Sequence, residues 1–380
     1  MNSGALNGTL TPSFRSLLVV RLSAMGDIIH TLPAVCALRA AFPNVTLGWL
    51  IDERWAELLC TLRYPRVGRR ASERPLVDRV HTVDMAQLRR APVSFHTWQQ
   101  IAVGLSELRG VKYDAAIDFQ GAVRSALFAR CSGAPILLGD AQPRENAASM
   151  FYTRQVEARG QHVVEQALNL AHAMIHRSPN SCSSALQRDS PSSATENIAG
   201  TRCADFPVDS DAEKRIEALT ANTRFAILNP GAGWGAKQWP AERYGVVARE
   251  LARDGIRSLV NYGPGEEGLA AAVEAASAGS AQRVSCSIAE LVSLTRRASL
   301  FIGGDTGPMH LAAALKIPIV AIFGPTNPAR NGPYGTQSIV LRNASSMTDH
   351  SRHREPEQGL LEITPEEVVT AARKLLLEPE

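Results

Sequence analysis

Residues 16–27 read SLLVVRLSAMGD, and their pattern is the strongest indication of the fold. The apolar run 16–21 has the length and composition of a short buried strand. The turn S-A-M-G-D at 23–27 then leads into a helical stretch that extends from Ile28 to Ala41. A buried strand joined by a short turn to a helix is the first half of a βαβ unit, so the stretch predicts a parallel sheet covered by helices.

The alternation of strand and helix continues along the chain and restarts once. In the first half, VTLGWLID near residue 48 and YDAAIDFQ at 113–120 are predicted strands, and a helix follows the second of them. The second half has predicted strands at 225–231, 257–263, 299–305 and 317–324, and predicted helices at 241–254, from about 264 to 277, at 308–315 and at 363–378. Two such blocks predict an α/β protein of two doubly wound domains that face a central cleft, where the strands' carboxyl ends hold ligands.

Local composition sets the expected domain boundaries. Ser, Asn, Pro and Thr dominate residues 178–207 and no apolar period persists there, so we expect a flexible linker. The remaining chain divides into an expected disordered tail at 1–15, a first domain at 16–177, a second domain at 208–345, and a loop and C-terminal helix at 346–380 that pack back toward the first domain.

The overall composition is that of a globular protein and excludes several classes. With 380 residues, 45% hydrophobic and 20% charged, the chain is neither collagen-like nor disordered throughout. No apolar run approaches the roughly 18 residues of a membrane span, and the polar N-terminus lacks the features of a secretory signal. The six cysteines are scattered, so we expect a cytoplasmic protein without disulfides or a metal site.

Positive charge is concentrated in the first half of the chain. Residues 1–177 hold 20 Lys and Arg against 14 Asp and Glu, whereas the remainder has a negative balance. Arginine forks match phosphate and carboxylate oxygens, so this excess indicates either an anionic partner or a solvated basic loop. Nucleic acid is not expected, because no aromatic residues interleave the arginines as a stacking platform would require.

Three loops that follow predicted strands carry candidate chemistry, and each also has a structural explanation. Asp27 is a candidate general base at the mouth of the first sheet, but Asp is equally typical of a helix N-cap. The second loop, NPGAGWGAKQWP at 229–240, offers backbone N–H groups and Lys237 to an anion, or it is simply a glycine-rich turn. The third, GGDTGPMH at 303–310, opens a helix whose free N–H groups favour phosphate, although Asp305 or Thr306 also fit as helix caps.

These loops together resemble one family. S-x-x-G-D, G-x-x-x-x-x-K-x-W-P, D-T-G-x-x-H and F-G-P-T-x-P (323–328) occur here in the order found in the ADP-heptose:lipopolysaccharide heptosyltransferases, glycosyltransferase family 9. The resemblance extends from about residue 17 to 376 and skips the linker. In the first half, DFQG at 118–121, PRE at 143–145 and QH at 161–162 look most like the heptosyltransferase I branch, which adds the first heptose to Kdo–lipid A.

The resemblance implies a fold, a reaction and a set of site residues. The fold is GT-B, with two Rossmann-like domains of which the first binds the acceptor and the second binds the donor, ADP-heptose. The reaction is an inverting transfer without a metal or cofactor, to an anionic glycolipid that brings the enzyme to the inner membrane's cytoplasmic face. Asp27 is implied as the catalytic base and Lys237 as the residue that neutralises the departing diphosphate. The implied donor-binding residues are Gly231, Gly233, Glu266, Cys286, Asp305, Thr306, Gly307 and His310, and the implied acceptor-binding residues are Arg89, Arg90, Gln120, Arg124 and Arg144.

Three other functions are compatible with parts of this pattern. A nicotinamide-dependent oxidoreductase shares the sheet architecture, but the first loop lacks G-x-G-x-x-G. A binding protein without turnover would have no use for the base at Asp27. A family 9 transferase with another donor or acceptor, such as a heptosyltransferase II, remains the alternative within the enzyme class.

Overall fold

Two parallel six-stranded sheets form the protein, one in each half of the chain. The computed structural model describes residues 14–91, 94–176, 205–221, 223–349, 351 and 353–377. Every strand pair in the two sheets is parallel, as the strand–helix alternation predicts. The expected α/β class is therefore confirmed.

The first sheet has the strand order β3-β2-β1-β4-β5-β6. Its strands are β1 (Ser16–Val20), β2 (Thr46–Asp52), β3 (Arg79–Val83), β4 (Ala115–Asp118), β5 (Ile136–Asp140) and β6 (Arg154–Val156). Its helices are α1 (Met25–Ala41), α2 (Met85–Arg90), α3 (Phe95–Gly110), α4 (Val123–Cys131) and α5 (Val163–Ile175), with 3₁₀ turns at Glu53–Leu58 and Asn146–Phe151. All five residues of β1 are buried, because helices cover both faces of a parallel sheet.

The second sheet repeats this topology, with the order β12-β11-β10-β7-β8-β9. Its strands are β7 (Phe225–Asn229), β8 (Arg257–Tyr262), β9 (Ala281–Ser285), β10 (Leu300–Gly304), β11 (Ile319–Phe323) and β12 (Ser338–Arg342). Its helices are α6 (Ser210–Thr220), α7 (Ala241–Arg253), α8 (Glu267–Ala276), α9 (Ile288–Arg297), α10 (Gly307–Ala314), α11 (Pro328–Asn331), α12 (Gln358–Glu362) and α13 (Pro365–Leu377), with a 3₁₀ turn at Gly235–Lys237.

The two halves share a packed boundary. Leu291 and Val292 of α9, and Leu311 of α10, belong to the same buried apolar cluster as β1 and α1 of the first half. Side chains from the second half therefore complete the core of the first. Within the described ranges, no helix combines the length and the apolar character needed to cross a membrane.

Two of the predicted boundaries need correction. The expected tail 1–15 is too long, because Phe14 is buried and packs edge-to-face on Phe42, with ring centroids 5.1 Å apart; residues 1–13 lie outside the described ranges. The expected linker 178–207 ends too late, because Phe206 is buried in the first half's core. The rest of that linker, up to residue 204, lies outside the described ranges.

The C-terminal helix α13 does not pack back toward the first domain, contrary to the prediction. It contacts α7 and strands β10, β11 and β12 of the second half. Val368, Val369 and Ala372 are buried in the apolar cluster of that sheet. The physical reason is that α13 follows β12, the edge strand of the second sheet, and buries its apolar side chains on that sheet.

Candidate active site

The candidate residues gather where the strand order of each sheet reverses. In the first sheet this point lies between β1 and β4, and in the second between β7 and β10. Loops after the strands that flank such a point are splayed apart, which leaves a crevice at the carboxyl end of the sheet. Asp27 follows β1, Gln120 follows β4, Lys237 follows β7 and Asp305 follows β10. The four strands that flank the two reversal points thus present four of the predicted residues.

Asp27 lies in the first turn of α1 with a partly open carboxylate. Its Oδ2 atom accepts a hydrogen bond from the backbone N–H of Ala24 at 3.2 Å and forms an ion pair with Arg21 at 3.1 Å. The side chain is 40% exposed, so it is not turned into the interior. Both contacts engage Oδ2, and no residue in the described ranges hydrogen-bonds Oδ1. The carboxylate therefore stabilises the helix start and still has an oxygen that can accept a proton.

Gln120 supports the Asp27 loop from within the protein. Its amide oxygen accepts hydrogen bonds from the backbone N–H groups of Leu22 and Ser23, at 2.8 and 3.3 Å. The buried Asp118 carboxylate holds the Gln120 loop in turn, because it accepts the Gln120 N–H at 2.9 Å. Burial raises the pKa of Asp118, and hydrogen bonds from the Gln120 N–H, Tyr152 and Ser125 oppose that shift. Gln120 is therefore placed to position the loop before Asp27, and only 6% of it is exposed to meet an acceptor.

Asp305 is a buried carboxylate held by two partners from different segments. Lys237 Nζ lies 2.6 Å from Oδ2, and His310 Nε2 lies 3.1 Å from Oδ1. Burial alone would raise the pKa of Asp305, but the hydrogen bond from His310 and the charge of Lys237 outweigh it and hold that pKa well below its usual range. The group is therefore an anion at neutral pH, and it fixes Lys237 beside the start of α10.

Neither Asp305 nor Thr306 caps helix α10 with its side chain. Thr306 is the N-cap residue, but its hydroxyl donates to the Gly304 carbonyl at 3.3 Å and makes no capping hydrogen bond. The predicted alternative of simple capping is therefore wrong for both side chains. The first turn of α10 keeps backbone N–H groups that can bind an anion, next to the Lys237 ammonium.

The glycines of the 229–240 loop make room for close neighbours. A Cβ atom at Gly231 would collide with the Glu266 carboxylate, and one at Gly235 would collide with the backbone carbonyl of Arg354, whereas Gly233 faces open space. Glu266 also accepts the Gly263 N–H at 2.8 Å. The structure therefore brings Gly231 and Glu266 together.

Cys286 follows β9, and burial raises the pKa of its thiol to about 12. The thiol is therefore protonated and uncharged at neutral pH.

The starts of α1 and α10 touch across the boundary between the two halves. A Cβ atom at Gly26 would lie 2.5 Å from the His310 ring, and one at Gly307 would lie 2.7 Å from the Met25 sulfur. Each half thus supplies a glycine where a side chain of the other half packs. This contact brings the helix that bears Asp27 against the helix start that follows Asp305.

His30 is a site residue that the sequence analysis missed. It lies one turn after Asp27 on α1, and its Nε2 atom is 3.0 Å from Nδ1 of His310. His162, at the N-cap of α5, packs edge-to-face on it with ring centroids 5.5 Å apart. Burial, together with the charges that His310 and His162 can carry, lowers the pKa of His30 well below its usual value. The spacing of three residues from Asp27 was the available signal, since it places both residues on one face of a helix.

The predicted acceptor-binding arginines line the carboxyl edge of the first sheet. Arg124 and Arg144 follow β4 and β5, whereas Arg89 and Arg90 end α2, which follows β3; all four are exposed. Within the described residues none of the four forms an ion pair. A phosphate or carboxylate group could therefore bind them without breaking an ion pair.

Most arginines of the basic loop between β2 and β3 are engaged within the chain. Arg63, Arg66 and Arg70 form ion pairs with Asp211, Glu53 and Asp78, respectively. Arg74 is fully buried and donates to the backbone carbonyls of Val77 and Arg69, at 3.1 and 2.7 Å. These side chains bind other parts of the chain. Neither predicted alternative, a solvated basic loop or a loop that binds an anionic partner, describes them fully.

Comparisons with known proteins place the chain among heptosyltransferases. The sequence profile of glycosyltransferase family 9 (heptosyltransferase) matches residues 105–360. Lipopolysaccharide heptosyltransferase 1 of Pseudomonas aeruginosa is 27% identical, over 96% of this chain and 99% of the relative. Its namesake in Escherichia coli K12 is 30% identical, over 86% of this chain and 93% of the relative.

Solved structures agree with the fold. The E. coli heptosyltransferase WaaC with ADP superimposes with a TM-score of 0.71 at 25% identity, over 95% of this chain and 99% of that one. E. coli ADP-heptose heptosyltransferase II gives a TM-score of 0.70 at 20% identity, over 95% and 98%. Together with the two parallel sheets described above, these similarities establish the GT-B fold.

The buried histidines predict how stability depends on pH. Burial is the main cause that lowers the pKa values of His30, His81 and His162, and the pKa of His81 is lowered to about 4. Below about pH 6.5 the unfolded chain therefore binds more protons than the folded chain does. The contribution of these histidines to the unfolding free energy is therefore fully present above that pH. It falls as the pH decreases, by up to about 1.4 kcal/mol per pH unit for each such histidine.

Urea unfolding at pH 7.5 and 5.5 measures this dependence. Replacing His30 with Gln removes one of these groups, so the variant should lose less stability than the wild type between the two pH values. An equal loss in both proteins would contradict the neutral, buried state of His30.

Proposed function

The chain belongs to glycosyltransferase family 9, and on that premise we propose that it transfers heptose from ADP-heptose to the Kdo–lipid A core of lipopolysaccharide. The proposal rests most directly on one observation: the helix start that bears Asp27 abuts the helix start that follows the Lys237–Asp305 ion pair. Relatives named lipopolysaccharide heptosyltransferase 1 support the choice of acceptor. A related structure contains ADP, and another contains a fluorinated ADP-heptose.

Asp27 is proposed as the general base. As the acceptor hydroxyl attacks the anomeric carbon of heptose, its proton passes to the carboxylate, whose Oδ1 atom has no hydrogen-bond partner in the described ranges. The oxygen of the acceptor gains a bond to carbon while the bond from carbon to the diphosphate oxygen breaks. A single displacement of this kind from the opposite face inverts the anomeric centre.

The departing ADP is proposed to leave toward Lys237. Negative charge develops on the diphosphate as the glycosidic bond breaks, and groups fixed in advance stabilise that charge more than they stabilise the bound donor. The Lys237 ammonium and the N–H groups of the first turn of α10 are such groups, and Thr306, Gly307 and His310 adjoin them. Since they supply the positive charge, the proposed reaction uses neither a divalent metal ion nor another cofactor.

The nucleoside of ADP is proposed to lie along the carboxyl edge of the second sheet. Glu266, which lies against Gly231, is proposed to accept hydrogen bonds from ribose hydroxyls. Cys286 offers a neutral thiol to the adenine face, because its raised pKa keeps it protonated. Gly233, which faces open space, is proposed to leave room for the diphosphate.

The acceptor is proposed to lie along the carboxyl edge of the first sheet, where the four exposed arginines would bind its anionic groups. Arg124 and Arg144 flank the Gln120 loop, and Arg89 and Arg90 extend the basic edge beyond β3. We further propose that the same charges hold the protein on the cytoplasmic face of the inner membrane. Nucleic acid is not a proposed partner.

Replacing Asp27 with Asn tests the base. The amide keeps an oxygen for the Ala24 N–H but cannot take up the proton, so turnover should fall on the order of 10²–10⁴-fold while ADP affinity stays within about threefold. Asp209→Asn is the matched control, since Asp209 also accepts backbone N–H groups at a helix start but lies outside the site. Full turnover in the Asp27 variant would remove this residue from its proposed role.

Replacing Lys237 with Ala tests the stabilisation of the leaving group. Turnover should decrease on the order of 10²–10³-fold, with a smaller loss of ADP affinity, because the charge acts most strongly in the transition state. Lys374→Ala, at an exposed position on α13, controls for the loss of a lysine. Turnover and ADP affinity both at the wild-type level would contradict the assignment.

A panel of donors and acceptors tests the overall proposal. The purified protein should release ADP from ADP-heptose only when Kdo–lipid A is present, and it should show little release from UDP- or GDP-sugars. Transfer to an acceptor that already bears the first heptose, rather than to Kdo–lipid A, would instead favour a heptosyltransferase II activity. No transfer from any nucleotide sugar would overturn the proposed function.

A further inference from the structure

The His30–His310 contact joins the two halves close to the candidate site residues Asp27 and Asp305. His30 is 8% exposed and His310 is 5% exposed, so the hydrogen bond between them lies in the protein interior. His310 also reaches Asp305 through its other ring nitrogen, and Asp305 holds Lys237. An unbroken chain of contacts thus leads from α1, which bears Asp27, to the ammonium group of Lys237.

Hydrogen-bond requirements determine which nitrogen carries each proton. The Asp305 carboxylate only accepts, so Nε2 of His310 donates to it and Nδ1 of a neutral His310 accepts. His30 must then donate from Nε2, which leaves a lone pair on its own Nδ1. That atom is buried and has no hydrogen-bond partner among the described residues. An unpaired lone pair there costs less than an unpaired N–H donor, and in this arrangement the ring N–H groups of both His30 and His310 have an acceptor.

The reverse hydrogen bond, in which His310 donates to His30, is unfavourable. A doubly protonated His310 would donate from Nδ1 to Nε2 of His30, and His30 would then carry its proton on the unpartnered Nδ1. The charged groups that face His30 are few: His310 on α10, His162 at the start of α5, Asp305 after β10 and Arg21 after β1. Of these only the Asp305 carboxylate favours a positive charge on His30, and His310 lies between them.

We propose that His30 is a positioning residue for the transfer reaction: it donates to His310 across the boundary and thereby orients the Asp305 carboxylate and the Lys237 ammonium. This inference rests on the proposed function of Lys237. His30 and Asp27 share one helix, so the placement of the base and that of the leaving-group lysine depend on the same element. When the two halves separate, the His30–His310 bond is lost and His310 is free to turn away from Asp305.

Two amide substitutions separate this role from simple packing. In His30→Gln the side-chain nitrogen reaches the position of Nε2 and can donate to His310, whereas in His30→Asn the same amide is one methylene too short. Misplaced catalytic groups cost up to about 10²-fold in rate, so we expect kcat of His30→Asn to fall about 10- to 100-fold and kcat of His30→Gln to stay within about threefold of the wild type. The KM for the donor should change less than kcat in both.

His81→Asn is the matched control. His81 is another largely buried histidine, and its Nε2 atom lies 2.8 Å from the Tyr113 hydroxyl, away from the boundary. The control should lose stability without the loss in kcat. Equal kcat values in His30→Gln and His30→Asn, whether both low or both at the wild-type level, would overturn the positioning role. A wild-type protein that transfers no sugar at all would overturn the proposed function instead, so the two failures are distinguishable.

Discussion

The arrangement of the site depends on one buried negative charge, the carboxylate of Asp305. A charge that is removed from water must be compensated by hydrogen bonds or by an opposite charge, because the protein interior solvates it poorly. Lys237 supplies a full positive charge and His310 a hydrogen bond, Lys237 from the loop after β7 and His310 from the first turn of α10. The requirement to compensate Asp305 therefore ties the loop after β7 to the start of α10. Through His310 it extends to His30 on α1 in the other half.

The two sheets contribute to the site in the same way because they share one strand order. In each sheet, the connections after the two central strands run in opposite directions, and a crevice opens between them. The first half fills its reversal point with Asp27 and with Gln120, which braces the loop ahead of Asp27. The second half fills its own with Lys237 and Asp305. A duplicated topology thus yields an asymmetric site in which one half holds the candidate base and the other holds the positive charge.

Sequence reasoning predicted the strands nearest the site better than those at the sheet edges. The apolar runs of β1, β7, β10 and β11 are buried on both faces, which makes them unmistakable, whereas the exposed residues of β6 and β9 hide the strand pattern. The sequence also indicated the loops that the structure brings together. It could not indicate that the Gln120 amide faces the backbone of residues 22 and 23, or that His30 meets His310, since 280 residues separate that pair. Such pairings follow from the packing of two halves and leave no local pattern.

The two glycines at the boundary, Gly26 and Gly307, restrict the sequence through volume alone. Neither has a backbone conformation that requires glycine, and each is needed because the opposite half occupies the space of its missing side chain. Even one methyl group at either position would act as a wedge between the halves. An alanine at position 26 would accordingly press against the His310 ring and weaken this contact, while Leu291, Val292 and Leu311 would still bury apolar surface between the halves.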